Sequence, residues 1–326
     1  MENGKSIMLR REIFIAGLFL FCLLISVALV TGDAPYNKVT NIKAKYGEIS
    51  LVTGEENLIV ESDINPNYMF KQIFDLKADS NGNIYILDEK KIIKFNPDGK
   101  FLTRIGRIGQ GPGEYMSPIR LFIDSNNNLY VLDQGVLISK FDQRGNFINL
   151  IRLKFTIPFF PLKSRDFYVE NNNIFALSRE YTEEGCLDIL VRASIDGQVI
   201  NKITSYLNKN IRLEMDSKSG GGVAGAVYTP YSAGCYFCLS PHNKLYYGEN
   251  LAYKIFVYDE QGRLDFIFSK EEKLKPITNE EKIKYRDIKS FYLPPHRPFF
   301  QDLLCDEKGR IYVIRVPYIL EKIASE

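Results

Sequence analysis

A ten-residue motif recurs along this chain at a fixed spacing, and that spacing restricts the folds open to it. Asp79-Ser-Asn-Gly-Asn-Ile-Tyr85-Ile-Leu-Asp88 returns as Asp124-Ser-Asn-Asn-Asn-Leu-Tyr130-Val-Leu-Asp133, 45 residues on at each named position. A third copy, Glu170-Asn-Asn-Asn-Ile-Phe175-Ala-Leu, follows after another 45. The fourth is Ser240-Pro-His-Asn-Lys-Leu-Tyr246, and the fifth is Asp306-Glu-Lys-Gly-Arg-Ile-Tyr312-Val-Ile. Between the Asn, Asp and Gly clusters the apolar residues alternate with period two, the pattern of short antiparallel strands. Asn81-Gly82 and Asp98-Gly99 are hairpin dipeptides, because both central positions must tolerate positive φ. Four strands in about 45 residues is the unit of a β-propeller, whose blades bury both faces only by stacking on neighbours. A β-sandwich or a solenoid accounts less well for a four-strand unit of this length. The 22 phenylalanines and 20 tyrosines, against no tryptophan, partly reflect the repeat itself, with one aromatic at Tyr85, Tyr130, Phe175, Tyr246 and Tyr312.

The repeat does not reach the N-terminus. Lys5, Arg10 and Arg11 precede an apolar run from Ile13 to Val30, the layout of an export signal. Val30-Thr31-Gly32 places small residues before Asp33, so residues 1–32 read as a signal peptide. The run is also at the short end of what spans a bilayer, and an uncleaved N-terminal membrane anchor is the alternative. Either way the protein is expected outside the cytoplasm: periplasmic, at the cell surface or secreted. Residues 33–326 then form one six-bladed β-propeller domain of 294 residues, about six and a half periods. The chain ends 14 residues after Tyr312, too soon for the last blade to complete four strands. Segments around Ile49-Ser-Leu51 and Leu58-Ile-Val60 are expected to finish it, closing the ring and removing an exposed sheet edge.

Several motifs have a chemical reading that their surroundings do not support. Gly106, Gly109, Gly111 and Gly113 suggest a phosphate loop, but Pro112 and Pro118 intervene and no helix or Lys-Ser/Thr follows. The loop is expected to carry the chain from the outer strand of one blade to the inner strand of the next. Asp79-x-Asn81-x-Asn83 begins like a calcium loop, yet Ile84 and Lys90 stand where glycine and glutamate are required. Cys235-Tyr-Phe-Cys238 has knuckle or redox spacing, but positions i and i+3 of a straight strand face opposite sides. With Cys186 and Cys305, these read as buried free thiols or at most one disulfide. Ser219 to Gly225 reads as an interblade loop, with a backbone-rich ligand rim as the functional alternative. Thr278-x-x-Glu281 resembles a helix capping box.

Gly109-Gln-Gly111-Pro112-Gly113-Glu114-Tyr115, with the Asp-x-x-Asn-x-Leu-Tyr-Val-Leu-Asp copy after it, resembles bacterial exported six-bladed β-propellers related to the NHL-repeat group. Ile49-x-Leu51, Asn57-Leu58-Ile59 and Leu293-Pro-Pro-His296-Arg-Pro298 extend the likeness over most of residues 45–316. The resemblance implies an exported propeller. Tyrosine stands where that group's last blade often carries tryptophan, and the third blade is degenerate.

Antiparallel alternation places the interblade loops and the ends of each blade's second strand on one face. Asp88, Glu114, Tyr115, Asp133, Arg179, Glu249, Asn250, His296, Arg297 and Arg315 are therefore expected to share a binding rim. Loops on a rigid scaffold are where binding usually resides. The rim is read as recognising a peptide, glycan or protein without chemistry. The alternative is a metal-dependent enzyme of the lactonase or lyase kind, with Asp88, Asp133, Glu249 and Asn250 as oxygen ligands in the central channel. His242 and His296 are the only histidines, so no Ser-His-Asp or Cys-His arrangement is legible. No cofactor is read from the sequence. With 42 basic and 40 acidic residues there is no basic face for nucleic acid. Membrane contact is expected only through residues 13–30, if they are retained.

Overall fold

The computed structural model describes residues 37–41, 70–158, 167–208, 213–215, 223–226, 231–285, 294–306 and 308–315. The chain is an all-β propeller of four-stranded antiparallel blades. After β1 (Asn37–Asn41), the first blade holds β2 (Ile73–Ala78), β3 (Ile84–Asp88), β4 (Lys91–Phe95) and β5 (Phe101–Ile105). A short parallel pair, β6 (Arg107–Ile108) and β7 (Glu114–Tyr115), leads into the second: β8 (Pro118–Ile123), β9 (Leu129–Asp133), β10 (Leu137–Phe141) and β11 (Phe147–Arg152). The third has longer strands, β12 (Phe167–Glu170), β13 (Asn173–Thr182), β14 (Gly185–Ser194) and β15 (Val199–Asn208). The small hairpin β16 (Leu213–Met215) and β17 (Val223–Ala226) follows it, and takes in the end of the expected Ser219–Gly225 loop. The fourth comprises β18 (Cys235–Leu239), β19 (Leu245–Glu249), β20 (Lys254–Tyr258) and β21 (Leu264–Lys270). Beyond it come the helix α1 (Asn279–Tyr285) and a last hairpin, β22 (Asp302–Cys305) with β23 (Ile311–Ile314).

Period-two alternation sends successive side chains to opposite faces, and the cores show it directly. On β9, Leu129 and Val131 join Tyr85 and Leu87 in the core between the first and second blades. Tyr130 and Leu132 point the other way, into the core with Phe167, Val169 and Ile174 of the third. Cys235 of β18 packs toward the third blade, and Cys238 packs toward the last hairpin. The i, i+3 argument held, and the four described cysteines, Cys186, Cys235, Cys238 and Cys305, are free thiols. The far face of the first blade is covered as well, with Ile86, Ile93 and Phe95 almost fully buried. The first strands of neighbouring blades, β2 and β8, β8 and β12, and β18 and β22, lie side by side.

Among the described residues four blades are complete, against the six expected, and β22–β23 stands as a two-stranded sheet. The export segment, Ile49–Leu51 and Leu58–Val60 lie outside the described residues, and ring closure with them. The described N-terminal strand takes another place: β1 runs parallel to β21 along the outer edge of the fourth blade, Val39 opposite Phe268.

Candidate functional site

The repeated Asp-x-x-x-Asn-x-Tyr motif builds the turn between a blade's first two strands. One carboxylate oxygen of Asp124 accepts the amides of Asn126 (3.0 Å) and Asn128 (2.8 Å). The other accepts Asn128 Nδ2 (2.8 Å) and the Tyr130 hydroxyl (3.0 Å). Asp79 and Asp306 repeat the arrangement with Tyr85 and Tyr312. The calcium-loop likeness is thus a hydrogen-bonded turn.

The opposite face carries the candidate rim. The register sets Ile73 against Asp88, Pro118 against Asp133, Cys235 against Glu249 and Asp302 against Ile314, so these strand ends meet the interblade loops. Asp88 (0% exposed), Asp133 (3%) and Asn250 (1%) are internal. Asp88 accepts the amides of Lys71 (2.8 Å) and Gln72 (2.6 Å), and Asp133 accepts those of Met116 (3.0 Å) and Ser117 (2.5 Å). Asn250 accepts Gly234 N–H at 2.8 Å and donates to the Ser232 carbonyl. Each side chain clamps the loop entering its own blade. They do not gather with Glu249 as a ligand set: among the described residues no three His, Cys, Asp or Glu side chains form a group that could hold a metal ion.

Glu114 and Tyr115 shape the glycine-rich loop. Glu114 accepts Gly111 N–H (2.8 Å) and Arg107 Nε (2.7 Å), bonds that hold its carboxyl below the usual glutamate value. Tyr115 is buried and donates to the Ile105 carbonyl at 2.9 Å. Gly106 sits at φ +65°, where a Cβ would come within 2.6 Å of the Tyr115 ring and 2.8 Å of the Gly113 carbonyl, so no other residue fits. The loop's glycines therefore serve its geometry.

Arg179 and Glu249 belong to the seam between the third and fourth blades. Arg179 forms a buried two-pronged ion pair with Asp188, at 2.5 and 3.0 Å. Burial pushes the half-buried Glu249 carboxyl up, a rise that Tyr247 and Lys254 reduce.

Among the described residues Arg297 and Arg315 come together as one open feature. With Glu272, Lys273, Lys275, Pro298 and Phe299 they line a cleft of about 30 Å³ between the fourth blade and the last hairpin. Arg315 donates to Glu272 Oε1 at 2.6 Å, and Lys270 to its Oε2 at 2.8 Å. Burial raises the Glu272 carboxyl, but these two bonds outweigh it and hold the group below the ordinary glutamate value. Arg297 is bound to Glu281, which also accepts the Tyr231 hydroxyl (2.6 Å) and the Thr278 amide (2.8 Å). Neighbouring His296 is exposed and pairs through its backbone with Pro276. Sequence reasoning missed Glu272, Lys273 and Lys275. The run Lys270-Glu-Glu-Lys-Leu-Lys275 was the available signal, and such a run usually marks only a solvated surface.

Among the described residues no helix is long and apolar enough to cross a membrane. Three solved structures are similar to the chain at a low level. A putative exported protein from Bacteroides fragilis is 17% identical, with TM-score 0.42, over 77% of this chain and 73% of its own. A DUF4221 family member from Bacteroides vulgatus is 13% identical, with TM-score 0.42, over 74% and 69%. A streptogramin B lyase is 12% identical, with TM-score 0.36, over 75% and 69%. No curated protein matches the chain. A family model described as Domain of unknown function (DUF4934) matches residues 63–312, most of the described fold, and the chain belongs to that family.

Proposed function

We propose that this protein is an exported six-bladed propeller of residues 33–326 that binds a peptide, glycan or protein partner through the face carrying its interblade loops. The cleft between the fourth blade and the last hairpin carries this reading, because among the described residues two of the expected rim residues, Arg297 and Arg315, line a shared opening there. Asp88, Asp133, Arg179 and Asn250 are buried in the scaffold, whereas Arg315, though paired with Glu272, keeps 39% of its side chain exposed beside Lys273 and Lys275. Both faces of the first blade are buried, which supports a further layer on its N-terminal side, and the 45-residue period supports six blades in all. Export rests on the charged and apolar pattern of residues 5–30.

Labelled full-length chain on glycan and peptide arrays tests the face. Arg315→Glu should abolish the binding that wild type shows. Lys100→Glu, at an exposed turn on the opposite face, should leave it intact, with circular dichroism showing both variants folded although Arg315→Glu loses its ion pair with Glu272. The reverse pattern would place recognition on the turn face and sink the proposal.

A further inference from the structure

The loop-face cleft carries a charge out of keeping with the rest of the molecule. The whole chain balances 42 basic against 40 acidic residues, a net charge of +2. The cleft lining sets Lys273, Lys275, Arg297 and Arg315 against the carboxylate of Glu272, and Glu281 behind it pairs with Arg297, which leaves a net +2 around about 30 Å³. Like charges gathered at a concave surface raise the local concentration of an oppositely charged ligand.

The lining is held in place by the backbone around it. Arg297 N–H donates to the Lys275 carbonyl at 2.9 Å, Ile277 N–H to Pro295 and Phe299 N–H to Asn250. Phe299 and Phe300 pack edge-on against Tyr253, with ring centroids 6.0 and 6.3 Å away. Lys273 and Lys275 are two residues apart, the spacing that puts extended-chain side chains on one side, and both are exposed. The chemistry of the seat is shown by the carboxylate already there. Glu272 lies between Arg315 at 2.6 Å and Lys270 at 2.8 Å, one carboxylate oxygen to each cation. The lining includes no helix N-terminus and no run of glycine amides, the features that usually fit a tetrahedral phosphate.

We propose that this cleft is a carboxylate site: it binds a ligand bearing two or more carboxylates, with Lys273 and Lys275 at the solvent side and Arg297 and Arg315 deeper. This rests on the loop-face reading above and gives it a ligand chemistry. The carboxylates come either from a small polycarboxylic acid or from the side chains of an acidic peptide, and the two sources are separable.

Isothermal titration of the full-length chain at low ionic strength, with citrate, a penta-glutamate peptide, a penta-glutamine peptide and inorganic phosphate, tests it. Binding of citrate or penta-glutamate is expected, with none of penta-glutamine and at least tenfold weaker binding of phosphate. Preference for citrate identifies a small acid, and preference for penta-glutamate identifies an acidic peptide. Lys273→Glu should weaken binding at least tenfold without moving the thermal midpoint, and Lys100→Glu on the far face should leave it unchanged. Phosphate binding as tightly as the carboxylates, no carboxylate binding at all, or equal weakening by Lys100→Glu would overturn the proposal. If the carboxylates fail while Arg315→Glu still abolishes array binding, only the ligand chemistry falls and the loop face stands.

Discussion

Asp124 accepts four hydrogen bonds, two from backbone amides and two from side chains, while only 9% exposed. Bonds to an ionised acceptor are worth more than neutral ones, and leaving their donors unpaired costs most. Asp124→Ala is therefore expected to lower unfolding stability by about 2–3 kcal/mol, and Tyr130→Phe by about 1 kcal/mol. Denaturant titration checks both, and an unchanged midpoint for Asp124→Ala would show that the turn does not depend on its clamp. The third copy puts Glu170 and Phe175 in place of this Asp and Tyr, so acceptor and hydroxyl are lost together. Glu170 instead takes the Ser125 hydroxyl of the second blade at 2.8 Å. The repeat was legible because each such turn solves the same local problem with nearby residues. The fate of Asp88 and Asp133 was not, because the amides they clamp are 16 and 17 residues away, and only the fold brings them near.

The helix α1 shows the same limit at the scale of an element. Its start was readable: Glu281 reaches back to Thr278, and Thr278 Oγ1 accepts the Glu281 amide. Seven residues do not hold a helix on their own in water, so tertiary partners must hold this one. Those partners, Arg297 and Tyr231, lie 16 and 50 residues away with no pattern linking them to Glu281. Burial, with the side chain 2% exposed, would raise the carboxyl, but the guanidinium, hydroxyl and amide outweigh it and hold its pKa at about 2, against an ordinary 4.5. A carboxyl whose folded pKa is depressed stabilises the fold above its unfolded value and loses that contribution as pH falls toward the folded one. Glu281→Gln should thus lower stability at pH 7 by about 3 kcal/mol or more, since it leaves Arg297 without its buried counter-charge. The difference from wild type should shrink as pH drops from 4.5 toward 2. Chemical denaturation at a series of pH values reads this, and a difference independent of pH would assign the loss to packing instead of charge.

For the whole molecule, the spacing of the repeat is enough to imply blades, because a four-strand unit of fixed length must stack to bury Tyr130 on one face and Val131 on the other. It says nothing about where a strand with no repeat pattern will pair. Asn37-Lys-Val-Thr-Asn41 has one apolar residue and no alternation, so its place is decided by which sheet edge is open. The outermost strand of a blade presents unpaired N–H and C=O groups to any passing segment. On the fourth blade β1 satisfies them in parallel, from Asn37 opposite Phe266 to Asn41 opposite Lys270. Among the described residues β5, β11 and β15 have no such cover. Val39→Pro puts into β1 a residue that cannot donate to a ladder and whose fixed φ suits a strand poorly, and it leaves the blade's own sequence unchanged. The outward amides of β21 should then lose hydrogen-exchange protection by at least tenfold, to the level of the outward amides of β11, while β19 and β20 keep theirs. Because β1 adds to a blade whose own four strands are intact, the thermal midpoint should fall only slightly. Unchanged protection along β21 would mean that β1 does not cover this edge in solution, and an exchange burst spreading into β19 would mean that the fourth blade needs its fifth strand to hold together.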